Sequence, residues 1–174
     1  MITVGPVLFI IGLLMSLLAV AMGLPAIADL ATGNPDWQVF AGSAAVSLFV
    51  GVSLMLTTRS TSMTNLNLRQ AFLLTTMSWV AVAAVGALPF AFSELEISVA
   101  DAFFESMSGI TTTGSTIIVG LDNAPPGILL WRALLQWLGG VGIIVMAMAM
   151  LPILSVGGMQ LFRTEAFDTP DKVL

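Results

Sequence analysis

Thr111-Thr112-Thr113-Gly114-Ser115 concentrates hydroxyl and carbonyl oxygens on a short piece of backbone. A row of carbonyl and hydroxyl oxygens can replace the water shell of a dehydrated cation. Gly114 suits that task, because glycine readily takes the positive φ that turns successive carbonyls to one side. The competing chemistry is weaker. Ser106 and Ser108 with Gly109 mimic a nucleophile motif, but the chain has no histidine to activate either serine. With no cysteine as well, disulfides, thiol catalysis and the usual zinc ligands fall away. No enzyme and no bound cofactor is expected; the residues point to ion coordination by oxygen.

Such a loop has to be held at a defined depth, and the composition says in what medium. The chain is 57% hydrophobic and only 9% charged, with a mean hydropathy of +1.03, far from the charge content of a soluble domain. An integral membrane protein is expected, with lipid as its surroundings. A net charge of −5 argues against a nucleic-acid partner, which needs a basic face.

Four long apolar segments are predicted to span: about Pro6 to Leu24, Trp37 to Leu56, Ala71 to Phe92, and Ile128 to Leu154. The stretch Asp29 to Asp36, with Gly33-Asn34-Pro35 as turn chemistry, links the first two. A loop rich in hydroxyls and amides, Thr57 to Gln70, links the next two. Gly157-Gly158 should end the last helix, leaving Met159 to Leu174 as a polar tail. The organisation expected is therefore a transmembrane hairpin at 1–58, a helix–pore loop–helix unit at 70–158, and a tail at 159–174.

Val99 to Ile110 is the segment that aims the oxygen row. As a helix it rises ~18 Å, too short for a hydrocarbon core of ~30 Å. Ser98 with Asp101 three residues later is a variant of the capping box, and the acid suits the positive helix end. The opposite end then points at the threonines. Non-helical backbone at that depth requires protein or water around it, so a re-entrant pore loop is expected.

Charge sets the orientation. With a cytoplasmic N-terminus, Arg59, Arg69, Arg163 and Lys172 fall inside, as the positive-inside rule requires. The outer mouth receives Asp29, Asp36, Glu94, Glu96, Asp101, Glu105 and Asp122, a negative field that concentrates cations. Asp29 and Asp36 themselves read as ordinary solvated loop charges. Arg132, about a turn into the last helix, is costly there unless it is paired or snorkels to the interface; a pair with Glu105 or Asp101 is the expected arrangement. The four tryptophans read as interfacial anchors or packing, Gly139, Gly140 and Gly142 as close helix packing, and the eleven methionines as core filler.

The run Asp101-Ala102-Phe103-Phe104-Glu105-Ser106-Met107-Ser108-Gly109-Ile110-Thr111-Thr112-Thr113-Gly114 resembles the first pore loop of Trk-type potassium-uptake membrane subunits, within the Trk/Ktr/HKT superfamily. Gly86-Ala87-Leu88-Pro89-Phe90, Trp131-Arg132-Ala133-Leu134-Leu135-Gln136-Trp137-Leu138-Gly139-Gly140-Val141-Gly142 and Gly157-Gly158-Met159-Gln160-Leu161-Phe162-Arg163 agree. The resemblance runs from end to end, since that family also opens with an extra helical hairpin.

What the resemblance implies is an all-α integral membrane fold with four helix–pore helix–helix units around one path, in a bacterial inner membrane. Potassium would be the transported substrate, held by backbone oxygens of Thr112, Thr113 and Gly114, with Thr111 and Ser115 at the filter's edges. A cytosolic, nucleotide-binding regulatory subunit is the implied partner. This chain departs from the pattern in holding one pore unit. One strand surrounds an ion on one side only, so either a homotetramer or the repeats of a longer chain must complete the path. The end at Asp171-Lys172-Val173-Leu174 favours a fragment. The alternative is a membrane module or assembly partner that keeps the fold without conducting.

Overall fold

Proline placement explains how the long apolar segments are divided. In the computed structural model, which describes residues 4–59 and 68–166, the first segment forms α1 (Gly5–Ala21) and α2 (Gly23–Thr32). Pro6 stands in the first turn of α1, where a missing N–H costs least. Pro25 has no N–H for the Ala21 carbonyl and its ring crowds that oxygen, so the helix steps at Met22. The third segment divides in the same way. α4 (Leu68–Gly86) stops four residues short of Phe90, and α5 (Leu88–Phe92) begins beside Pro89, which cannot bond to Val85. Between them, α3 (Trp37–Thr58) runs unbroken.

The short segment is helical over α6 (Val99–Ile110), with the bounds expected of it. A 3-10 turn at Leu121–Asn123 precedes α7 (Pro126–Ala166). Among the described residues four stretches are long and apolar enough to cross a membrane, at Gly5–Thr32, Trp37–Thr58, Arg69–Phe92 and Pro126–Val145. The protein is an all-helical membrane protein.

Two expectations need correction. The first span runs on to Thr32 rather than ending near Leu24, so Asp29 lies on a helix and not in a loop. The last helix passes through Gly157-Gly158 and continues to Ala166. A glycine inside a helix costs only about 1 kcal/mol, and Met159, Gln160, Leu161 and Arg163 beyond the pair are good helix formers. The middle of the Thr57–Gln70 loop and the end of the tail, with Lys172, lie outside the described residues.

Residues through Gly139 make one compact unit and those from Gly140 a second, the latter part of α7. Within the first unit the hairpin and the pore loop share a core. α1 packs on α3 and α4, and α6 packs on α4 and α5. The contact of α1 with α3 is close: a Cβ on Gly12 would stand 2.6 Å from the Gly51 carbonyl oxygen. Val7, Met22, Phe40, Phe90, Ile128, Trp131 and Leu135 form the centre. The Phe40 and Trp131 rings meet edge to face with centroids 6.3 Å apart, joining α3 to α7. Leu48, Phe49, Leu56 and other apolar side chains remain exposed on α3, a surface suited to lipid.

Candidate functional site

α6 starts with a hydroxyl cap. Ser98 Oγ accepts the Asp101 N–H at 3.2 Å and donates to Asp101 Oδ2 at 2.7 Å, satisfying an orphan donor of the first turn. Asp101 is thus engaged at the cap, while Glu105, one turn on, is buried. The helix ends in a Schellman motif: the Thr112 N–H reaches the Gly109 carbonyl at 3.0 Å and the Thr113 N–H reaches that of Ser108 at 3.0 Å. This motif needs a left-handed residue after the cap, and Thr112 supplies it with φ +57°. A β-branched residue in that region is strained. Gly114 also takes positive φ, +78°. The two left-handed residues alternate along the loop, and residues 112–117 stay exposed.

Hydroxyls brace the loop from within. Thr111 Oγ1 donates to the Met107 carbonyl at 2.7 Å and lies 2.9 Å from Thr113 Oγ1. Ser108 Oγ donates to the Ser115 carbonyl at 2.6 Å, so that oxygen already has one partner on the helix side. Ile118 is buried and anchors the far end of the strand in the core.

Behind the strand sits an ionic clamp. Arg132 Nη1 lies 2.9 Å from Glu105 Oε1 and donates to Thr116 Oγ1 at 3.0 Å. Glu105 Oε2 accepts from Thr116 Oγ1 and from the Ile117 N–H, each at 3.1 Å. Thr116 Oγ1 in turn accepts the Ile118 N–H at 3.1 Å. The structure therefore pairs Arg132 with Glu105 and leaves Asp101 with Ser98. At 8% exposure Arg132 does not snorkel to solvent. Thr116, the hydroxyl on which both charges converge, is the member that sequence reasoning passed over.

Close packing lets α7 reach these groups. Trp131 Nε1 donates to the Gly86 carbonyl at 2.9 Å, beside the break at Pro89, so this tryptophan is a core residue and not an interfacial anchor. A Cβ on Gly109 would sit 3.1 Å from Leu135 Cβ, and one on Gly139 would collide with the Ile110 carbonyl. Small residues here bring α7 onto the end of α6.

The acids assigned to the solvent are not there. Asp29 is 0% and Asp36 2% exposed. Asp29 Oδ1 accepts the Gly127 N–H at 2.6 Å, and Asp36 lies beside the Glu94 backbone. Burial raises the Asp36 pKa from its ordinary value, with the Glu94 backbone opposing the rise and the nearby Glu94 and Asp29 charges adding to it.

A capped half-helix, an oxygen-rich loop with alternating left-handed residues, and a clamp from the next helix define a membrane pore-loop unit. The TrkH family, described as a cation transport protein, matches residues 36–170, and the chain belongs to that family. It is 46% identical over 157 residues to the Trk system potassium uptake protein TrkH of Escherichia coli K12, covering 90% of this chain and 32% of that protein. It is 41% identical over 170 residues to TrkI of Halomonas elongata, covering 98% of this chain and 34% of that one. The crystal structure of the potassium transporter TrkH from Vibrio parahaemolyticus superposes with a TM-score of 0.84 at 41% identity, over 90% of this chain and 34% of the other. The chain thus spans about a third of the length of the relatives it matches.

Proposed function

We propose that this chain supplies one filter strand, with its supporting helices, to a potassium path across the bacterial inner membrane. The observation that carries the reading is the loop at 111–117: exposed over 112–117, left-handed at Thr112 and Gly114, fixed from behind by Glu105, Thr116 and Arg132. Thr112, Thr113 and Gly114 offer their carbonyls to the ion, and Thr111 and Ser115 bound the site. The relatives are named as potassium uptake proteins, which supports transport over an enzymatic role. Potassium is then substrate rather than cofactor.

Exposed, non-helical backbone at membrane depth needs a covering of protein or water. Further filter strands, from three more copies or from other repeats, provide it and close the oxygen cage. The N-terminus is cytoplasmic in this reading, because Arg59 and Arg69 then face inside. A cytosolic nucleotide-binding subunit is the regulatory partner that the family resemblance implies.

The test is replacement of the matching third of the Vibrio parahaemolyticus protein by this chain, in cells lacking their own potassium importers. Rubidium uptake by the chimera, with little uptake of sodium, is the expected result. A chimera that reaches the membrane in full amount and takes up no rubidium would favour the non-conducting module instead. Expressing the chain alone, with its mass measured in detergent, separates the homotetramer from the longer assembly.

A further inference from the structure

The start of α7 lacks a cap of its own. Pro125 occupies the capping position and has no side-chain acceptor; Pro126 has no N–H. The first local donor needing a partner is the N–H of Gly127, and helix N-termini leave such donors orphaned. A hairpin residue 98 positions away supplies the acceptor: Asp29 Oδ1, at 2.6 Å. Its carboxylate also lies at the positive end of the α7 dipole. The fit leaves no spare room, because a Cβ on Gly127 would collide with the Asp29 carboxylate. Asp29 Oδ2 is buried with no hydrogen-bond partner, so the side chain is committed to this one helix end.

We infer that Asp29 is a remote N-cap that sets the position of α7 along its axis and, through it, the position of the filter strand. Arg132 follows Gly127 by five residues, or ~7.5 Å of helix rise. It is the group that grips Thr116 and Glu105. Edge-to-face packing of Phe40 on Trp131 holds the intervening turn from the same hairpin. A second hairpin carboxylate, Asp36, lies beside the backbone of Glu94, in the connection leading into α6. The hairpin therefore holds both flanks of the pore loop, and Asp29 is a positioning residue for it. Its relevance to transport rests on the filter reading above; the cap itself does not.

Hydrogen exchange of single amides, followed by NMR on the whole chain in nanodiscs, tests this without any need for conduction. Asp29→Leu should speed exchange at Gly127 at least tenfold and speed it at Ile117 and Ile118 as well, while α3 amides keep their wild-type rates. Asp29→Asn keeps an acceptor oxygen and should restore all three sites close to wild type. Faster exchange at Gly127 with no change at Ile117 and Ile118 would overturn the positioning role. Should Asp29→Leu fail to fold, wild type alone decides: a Gly127 amide exchanging as fast as that of Val119, which is 98% exposed, would overturn the cap.

Discussion

α2 and α6 end in the same hydrogen-bonding pattern with opposite chemistry. After α2, the Gly33 N–H reaches the Leu30 carbonyl and the Asn34 N–H reaches that of Asp29. After α6, Thr112 and Thr113 make the equivalent bonds to Gly109 and Ser108. Both are Schellman motifs, which call for a left-handed residue and usually receive glycine. The hairpin complies with Gly33 at φ +74°, whereas the pore loop places Thr112 there at φ +57° and holds its glycine for position 114. A turn built only to reverse the chain takes the relaxed residue. A loop that, as proposed, presents oxygens at fixed points takes a strained one, and the surroundings have to hold it.

That difference makes the clamp the first place to break. Arg132→Ala or Glu105→Ala leaves a buried charge unpaired and should destabilise the fold by about 3–5 kcal/mol. Arg69→Ala, at an exposed position, should change stability by no more than about 0.5 kcal/mol. Replacing both clamp charges by apolar residues of similar size should cost less than either single change, since no orphan charge remains. Denaturant unfolding in detergent measures all of these. If each single variant behaves like Arg69→Ala, the clamp does not hold the loop.

Exchanging the two helix-end residues sharpens the comparison at a smaller scale. Gly33→Thr introduces at the hairpin the strain that the pore loop tolerates, and should cost about 1–2 kcal/mol. Thr112→Gly relieves it, and should be neutral or stabilising by up to about 1 kcal/mol. A large loss from Thr112→Gly would mean that the threonine side chain contributes more than its backbone costs. The same unfolding assay decides between the two outcomes.

The smallest effect expected belongs to the hairpin's acid. Asp36 has its pKa raised by burial and by the charges of Glu94 and Asp29, so the folded state binds its proton more tightly than the unfolded state does. Stability from this group is then greatest below the ordinary carboxylate range and falls as pH rises through the raised value. Asp36→Asn removes that dependence. Relative to wild type, its melting temperature should gain ground from acidic toward neutral pH. A difference that does not vary with pH would place Asp36 in a solvated setting after all.

The parts of the fold legible in the sequence are those set by local rules. α6 was readable to its bounds because Ser98 and Asp101 cap it and threonines follow it, and the positive φ of Gly114 was readable because glycine takes it without a Cβ penalty. The four spans were readable from apolar length alone. What was hidden depends on distant partners. The sequence near Asp29 looks like the solvated end of a hairpin, and its acceptor role emerges only when α7 arrives. The one local sign was negative: Pro125-Pro126-Gly127 opens a helix with no acceptor of its own. Thr116 was hidden because a hydroxyl beside the proposed filter has no distinctive spacing, and the left-handed backbone of Thr112, a residue the sequence did single out, because it contradicts the residue type. Gly157-Gly158 misled in the other direction, because glycine ends a helix only where the chain is free to turn there.

Gly33 and Gly114, two of the left-handed glycines, supply the most direct test of the central claim. Gly33 and Gly114 have φ of +74° and +78°, and a Cβ on either would meet nothing within 4 Å. Serine at either site should therefore cost the same stability, on the order of 1 kcal/mol, so that any difference in transport is not one of folding. The measurement is rubidium against sodium uptake by the assembled pore carrying Gly33→Ser or Gly114→Ser at matched membrane levels. The account predicts that Gly114→Ser loses its preference for rubidium while Gly33→Ser keeps it. An unchanged preference in Gly114→Ser, or an equal loss in both, would contradict the assignment of residues 111–115 as a filter strand.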